Sequence, residues 1–251
     1  TYERAGFDPS RHLLQNYAFI EGENHSQWRT ARGGGPIVDW NLKTTLDGLY
    51  AAGEQLFSFG DHSFAATTGR YAGRKAADYS NQVGQPKVCR EQIEREKERV
   101  YAPIKRTSGI EWKELNAGIA RTMQYFCSEY KTELLFNMGL DTLKEIEEEF
   151  VRRLYAHDPH KLMRSIEDLS MLAHAQMVLH ASLARKASSR LLNFYRIDYP
   201  EIDPPEWSKF VTIKQENGEV KAGQLPLRYW GNMKTSYEAH NRDYTGVYKA
   251  G

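Results

Sequence analysis

Between Lys87 and about Asn193 the apolar residues return every three or four positions, the period of helices that bury one face. Trp112, Leu115, Ile119, Met123 and Phe126 share one stripe of a segment predicted to run from Glu111 to Tyr130. Leu143, Ile146, Phe150 and Leu154 do the same over Asp141 to Ala156. Asp158-Pro159 reads as the next helix start, with the aspartate as N-cap and the proline at the first helical position. Leu162, Ile166, Leu169, Ala173, Met177, His180 and Ala184 continue that stripe. Glu91 to Arg99 is different: Glu alternates with Lys and Arg at helical spacing, the pattern of a solvated face. Four helices with short joints predict a mostly antiparallel, up-and-down bundle over residues 86–193.

The period changes on both sides of this zone. Residues 1–85 are rich in glycine, aromatic and small side chains. Ile37-Val38 and Leu49 to Ala52 read as short strands, with Asp47-Gly48 a turn signal between them. Ser63 to Tyr79 reads as a helix whose Ala65, Ala66, Ala72, Ala76 and Ala77 let another surface come close, so a packed interior helix is expected. In residues 194–251 the stretch YPEIDPPEW is extended, and Phe210 to Gln215 alternates like a strand. Asn217-Gly218 is a hairpin turn, and Val220 to Leu227 is the return strand. The tail beyond Trp230 is polar and aromatic and is expected to wrap a neighbour rather than form a core. The fold class expected is mixed α+β.

Composition excludes several functions. Net charge is +1, so no global field favours nucleic acid, and no basic–aromatic alternation suggests it. No apolar run approaches the roughly 18 residues needed to cross a bilayer. The first residues lack the order of a signal peptide. They also lack an initiator Met, so a fragment or processed chain is expected. Cys89 and Cys127 are far apart, which argues against a disulfide framework or a metal site and for a reducing, cytoplasmic compartment.

The chemistry concentrates between Gly34 and Arg74. Gly34-Gly35-Pro36-Ile37-Val38-Asp39 is followed by Thr45-Leu46-Asp47-Gly48-Leu49-Tyr50-Ala51-Ala52-Gly53-Glu54, then by Gly69-Arg70-Tyr71-Ala72-Gly73-Arg74. This order resembles the C-terminal part of the flavin domain in the fumarate reductase/succinate dehydrogenase flavoprotein family. Asp61-His62-Ser63-Phe64 departs from the loop of the true succinate and fumarate enzymes and is more similar to the adenylylsulfate reductase alpha-subunit branch. Further on, Ser188-Ser189-Arg190 and Arg196-Ile197-Asp198-Tyr199-Pro200, with Trp207 after them, resemble the segment that follows the helical bundle in that family. The resemblance covers roughly residues 20–215. It implies three parts: the C-terminal segment of an FAD-binding α/β domain over 1–85, the helical bundle over 86–193, and an extended tail with a hairpin over 194–251.

The cofactor implied is FAD. Gly53 would let the backbone approach the flavin, and the Glu54 carboxylate would accept hydrogen bonds from ribose or ribityl hydroxyls. His62, Ser63, Ala66 and Thr67 would line the flavin edge at a helix N-terminus, whose free N–H groups and dipole favour the N1–C2=O edge. Ser63 reads equally well as a simple N-cap. For a small anionic substrate, His25, Arg29, Arg32 and Arg190 are the candidates implied, with Arg185 an alternative to Arg190. A solvated loop reading of Arg29 and Arg32, and a salt-bridge reading of Arg190, stay open. The strand–Gly-x-Gly-x-x-Gly–helix fingerprint of the pyrophosphate site does not occur in these residues. The rest of the flavoprotein is therefore an expected partner, and this segment alone is expected to be inactive. No cluster-binding cysteine pattern occurs either, so any iron–sulfur partner would be another chain. The competing reading is a helical assembly module that keeps a degenerate flavin-domain remnant and performs no catalysis.

Overall fold

The computed structural model of the chain describes residues 34–56 and 62–245. It is a mixed, helix-dominated fold with two small sheets. Its larger core lies among α3 (Trp112–Phe126), α4 (Glu133–Glu149) and α5 (Pro159–Ala184), each of which packs on the other two. Leu115, Ile119 and Met123 meet Phe136, Leu143, Ile146, Leu172 and Leu179 there, all buried. The four-helix expectation resolves into this three-helix core with α2 (Arg90–Lys105) laid along α5. Most of α2 is exposed, with Glu96 and Arg99 paired across one turn, as its charge pattern predicts.

Helix α4 starts eight residues before the predicted Asp141 because two features override the weak signal around Asn137 and Gly139. Thr132 is its N-cap, its hydroxyl accepting from the Leu135 N–H at 3.2 Å. Gly139 then allows close helix approach: a Cβ there would lie 2.8 Å from Phe126 Cβ and 3.0 Å from Leu179 Cδ1. The helix also ends early, at Glu149. Leu154 is buried from an extended bridge to Ile110, not from a helical stripe. The N-cap of α5 is Asp158, whose carboxylate accepts from the Lys161 N–H at 2.8 Å, with Pro159 in the first turn as predicted.

Helix α3 stops at Phe126, short of the predicted Tyr130. The next residues turn into β1 (Tyr130–Lys131), which pairs in parallel with β2 (Tyr195–Arg196). The hairpin forms as predicted: β3 (Lys209–Glu216) and β4 (Glu219–Pro226) pair antiparallel about Asn217-Gly218, both with positive φ. It packs on α5.

The N-terminal lobe is smaller. The two strands predicted around Asp47-Gly48 reduce to isolated bridges, Val38 with Thr44 and Lys43 with Tyr50. Asp39 explains the tight return: its carboxylate accepts from the N–H groups of Asn41 and Lys43, at 2.8 and 3.0 Å, and Leu42 takes a positive φ. Val38, Ala51 and Leu56 are buried together, with Leu42, Phe64 and Trp230 packed on them. The tail therefore returns to its own chain, where the sequence suggested a neighbour. Trp230 meets Trp40 edge-on at 5.6 Å, and His240 of α6 (Met233–Thr245) lies 5.0 Å from the Trp40 ring.

Candidate functional site

Two polar constellations stand out. The first is built by the Gly53 turn and α1 (His62–Gln82). Gly53 opens a 3-10 turn over Gly53–Gln55 and takes φ +66, a left-handed conformation that favours glycine. Its N–H donates to Thr68 Oγ1 at 2.9 Å, and that hydroxyl donates to the Phe64 carbonyl at 2.7 Å. One side chain thus ties the turn to the first turns of the helix. The neighbouring Gly35 is equally constrained, since a Cβ there would lie 1.9 Å from the Gln55 carbonyl oxygen.

On this frame Gly53 is buried, while Glu54, His62, Ser63, Ala66 and Thr67 are exposed. The six residues singled out for cofactor contact are therefore on two packed elements. Ser63 falls inside α1, which begins at His62, so its simple N-cap reading fails. Within this chain α1 is not the packed interior helix expected: Ala72 is its one buried residue. Gly69 and Gly73 have open space where a Cβ would point. His25, Arg29 and Arg32 lie outside the described residues.

The second constellation joins the ends of α4 and α5. Arg196 is 2% exposed and uses its whole guanidinium. Its Nε and one terminal nitrogen donate to the two Asp198 oxygens at 2.7 and 2.6 Å. The other terminal nitrogen donates to the carbonyls of Ser182 and Arg185, at 2.9 and 3.0 Å, at the C-terminal end of α5. Phe136 and Tyr199 lie on it, with ring centroids at 5.0 and 4.9 Å. Asp198 in turn accepts from the Glu133 N–H at 2.8 Å, at the start of α4. A cation thus meets the negative end of one helix dipole and an anion the positive end of the other. The Arg196 hydrogen bond holds the Asp198 carboxyl down at about 2, against an ordinary 3.8.

Other buried polar groups cluster close by. Lys131, paired with Arg196 in the sheet register, is 1% exposed and donates to the Ser128 carbonyl at 2.6 Å. Burial pushes its ammonium pKa down and the Cys127 thiol pKa up. Arg185 is also buried, set 5.6 Å from the Trp207 ring, with burial lowering its pKa. Arg190 is exposed; its backbone N–H donates to Asp203 at 3.1 Å. Sequence reasoning weighed Arg190 and Arg185 as site residues, quoted Arg196 only within a motif and passed over Lys131. The available signal was Arg-x-Asp on an extended segment, where alternate side chains share a side. Among the described residues no helix is long and apolar enough to cross a membrane.

These folds and motifs define a class. The chain belongs to the fumarate reductase flavoprotein C-terminal family, whose model matches residues 116–244. Among particular relatives, the fumarate reductase flavoprotein subunit of Haemophilus influenzae is 25% identical over 214 residues, covering 78% of this chain and 35% of that protein. Adenylylsulfate reductase from the hyperthermophilic Archaeoglobus fulgidus aligns with a TM-score of 0.67 at 25% identity, over 74% of this chain and 33% of that one. Escherichia coli quinol fumarate reductase aligns with a TM-score of 0.66 at 22% identity, over 77% of this chain and 36% of that one. The chain spans about a third of the length of these relatives.

Proposed function

We propose that this chain is the C-terminal part of an FAD-dependent oxidoreductase and that its Gly53–Glu54 turn and α1 form one wall of the flavin site. The observation that carries this reading is the Thr68 tie. It sets a left-handed glycine and an exposed carboxylate against the first turns of α1. These features suit the cofactor chemically: a carboxylate for sugar hydroxyls and a positive helix-dipole end for an electron-rich ring edge. FAD, when bound, supplies the hydride donor and acceptor. Glu54 would hold the ribityl or ribose hydroxyls, and His62, Ser63, Ala66 and Thr67 would bound the ring.

On this reading residues 1–85 complete the flavin domain, 86–193 form the bundle and 194–251 the tail. The exposed small-residue face of α1 supports it, being the surface the remainder of the flavoprotein would cover. A small anionic substrate would be met by His25, Arg29 or Arg190, and electrons would pass to an iron–sulfur subunit on another chain. Likeness to both fumarate and adenylylsulfate reductases makes fumarate and adenylylsulfate the first substrates to assay.

The test is flavin occupancy. The intact flavoprotein should purify with one FAD per chain, the 251-residue chain alone with none. Glu54→Gln in the intact protein should weaken FAD about tenfold or more, the usual scale for a hydrogen bond to a charged group. Stoichiometric flavin on the 251-residue chain alone, or an unchanged affinity in Glu54→Gln, would refute it. A second reading, a docking module without catalysis, draws on the self-contained bundle core. It requires the intact protein to fold and bind its partner without FAD.

A further inference from the structure

The C-terminal tail ends on the same elements that carry Gly53 and Glu54. Val38, Ala51 and Leu56 form the small N-terminal core, and Leu42, Phe64 and Trp230 pack against it. Ala51 and Leu56 flank the Gly53–Gln55 turn in sequence, and Phe64 sits in the first turn of α1. The Phe64 carbonyl accepts the Thr68 hydroxyl, which in turn accepts the Gly53 N–H. Trp230 is thus packed on the core shared by the residues that flank the Gly53 turn and by Phe64 of α1, the two elements that Thr68 ties together.

The tail is itself braced. Trp230 meets Trp40 edge-on at 5.6 Å and Tyr229 at 5.0 Å. The Trp230 carbonyl accepts the Ser236 hydroxyl at 3.1 Å, closing the turn into α6. His240, one turn beyond Ser236, bonds through Nδ1 to the Ser236 carbonyl at 2.7 Å and lies with its ring centroid 5.0 Å from that of Trp40. Tyr229 also meets Phe210 of β3, with centroids 6.3 Å apart. Aromatic contact therefore runs unbroken from Phe210 of the hairpin through Tyr229 and Trp230 to Trp40.

We infer that Trp230 is a positioning residue for the Gly53–Glu54 wall: the tail acts as a latch that fixes the angle between the turn and α1. This rests on the flavin-wall reading above for its functional consequence, but its structural half does not. Few buried groups hold the lobe, so removing one large ring should release it locally while the bundle, with its own core, stays intact. A wall displaced by an ångström would bind and orient its ligand less well although Trp230 touches no ligand.

Two measurements test this separately. Amide hydrogen exchange on the 251-residue chain needs no cofactor. Trp230→Ala should cost Gly53 and the first turns of α1 at least about tenfold in protection, while Leu115, Phe136 and Leu179 keep theirs. Trp230→Phe, which keeps a ring against the small N-terminal core, should recover most of the loss. Unchanged protection at Gly53 overturns the inference, and so does a loss spread equally through the bundle. So does a Trp230→Phe variant no better than Trp230→Ala. In the intact flavoprotein, Trp230→Ala should weaken FAD about tenfold or more and alter the flavin circular dichroism. If Glu54→Gln weakens FAD and Trp230→Ala does not, the latch fails and the flavin wall stands. If the intact protein binds no FAD, the wall reading fails, and exchange alone still decides whether the latch exists.

Discussion

Replacing Asp198 by asparagine should cost stability at neutral pH and remove a pH dependence that the native chain shows. The carboxylate holds two Arg196 nitrogens and the Glu133 N–H. A carboxyl moved from 3.8 to about 2 is worth about 2.4 kcal/mol at full strength. The Asp198 side chain is 29% exposed, so solvent screening reduces this to about 1–2 kcal/mol. Asparagine leaves a fully buried guanidinium without its counter-charge, which adds about 1–3 kcal/mol of unmet desolvation. The expected total at pH 7 is about 2–5 kcal/mol. The sign with pH follows from a depressed folded value. The pair's contribution is fully present above about 4, the unfolded value, and is lost as pH falls through 4 towards 2. Urea unfolding followed by helix circular dichroism at pH 7, 5 and 3.5 should show the gap between native and Asp198→Asn narrowing only at the last. An equal gap at every pH, or a variant as stable as the native chain at pH 7, would refute the clasp.

Two further substitutions probe the bundle with opposite signs. Gly139→Ala should destabilise by about 1–3 kcal/mol, because its methyl group would sit 2.8 Å from Phe126 Cβ with little room to yield; thermal unfolding measures it. Asp168→Asn should stabilise at pH 7 by up to about 1 kcal/mol. Asp168 is 2% exposed, one of its oxygens has no partner, and burial raises its pKa. For an acid with a raised folded value stability is lost as pH rises through that value, and the amide, which keeps the bond from Asn116, escapes that loss. Denaturant titration at pH 7 and pH 4 should show the advantage of Asp168→Asn shrinking at the lower pH.

The sequence was most informative where one local rule governs. The stripe of α3, the Asp158-Pro159 start and the Asn217-Gly218 turn need only period and capping chemistry, and each appears in the fold, whereas α5 buries Leu162, Leu172, Ala175 and Leu179 and leaves Ala173 and Met177 of its expected stripe exposed. It was least informative where packing reverses a local preference. Asn137 and Gly139 look like helix breakers, and only the Phe126 and Leu179 surfaces show why a glycine belongs there. Tyr130-Lys131 looks like the end of a helix until Tyr195-Arg196 is brought alongside.

The candidate sites divide the same way. The order Gly53-Glu54, then a helix rich in small residues, is a sequence property, legible without the fold. That Thr68 joins the two, and that a tryptophan some 160 residues later packs on the small core beside them, is decided only by the tertiary fold. The buried Arg196 is a tertiary fact of the same kind. Alone it reads as one more surface cation, and a charge can be buried only where two helix ends and a carboxylate converge to replace its water.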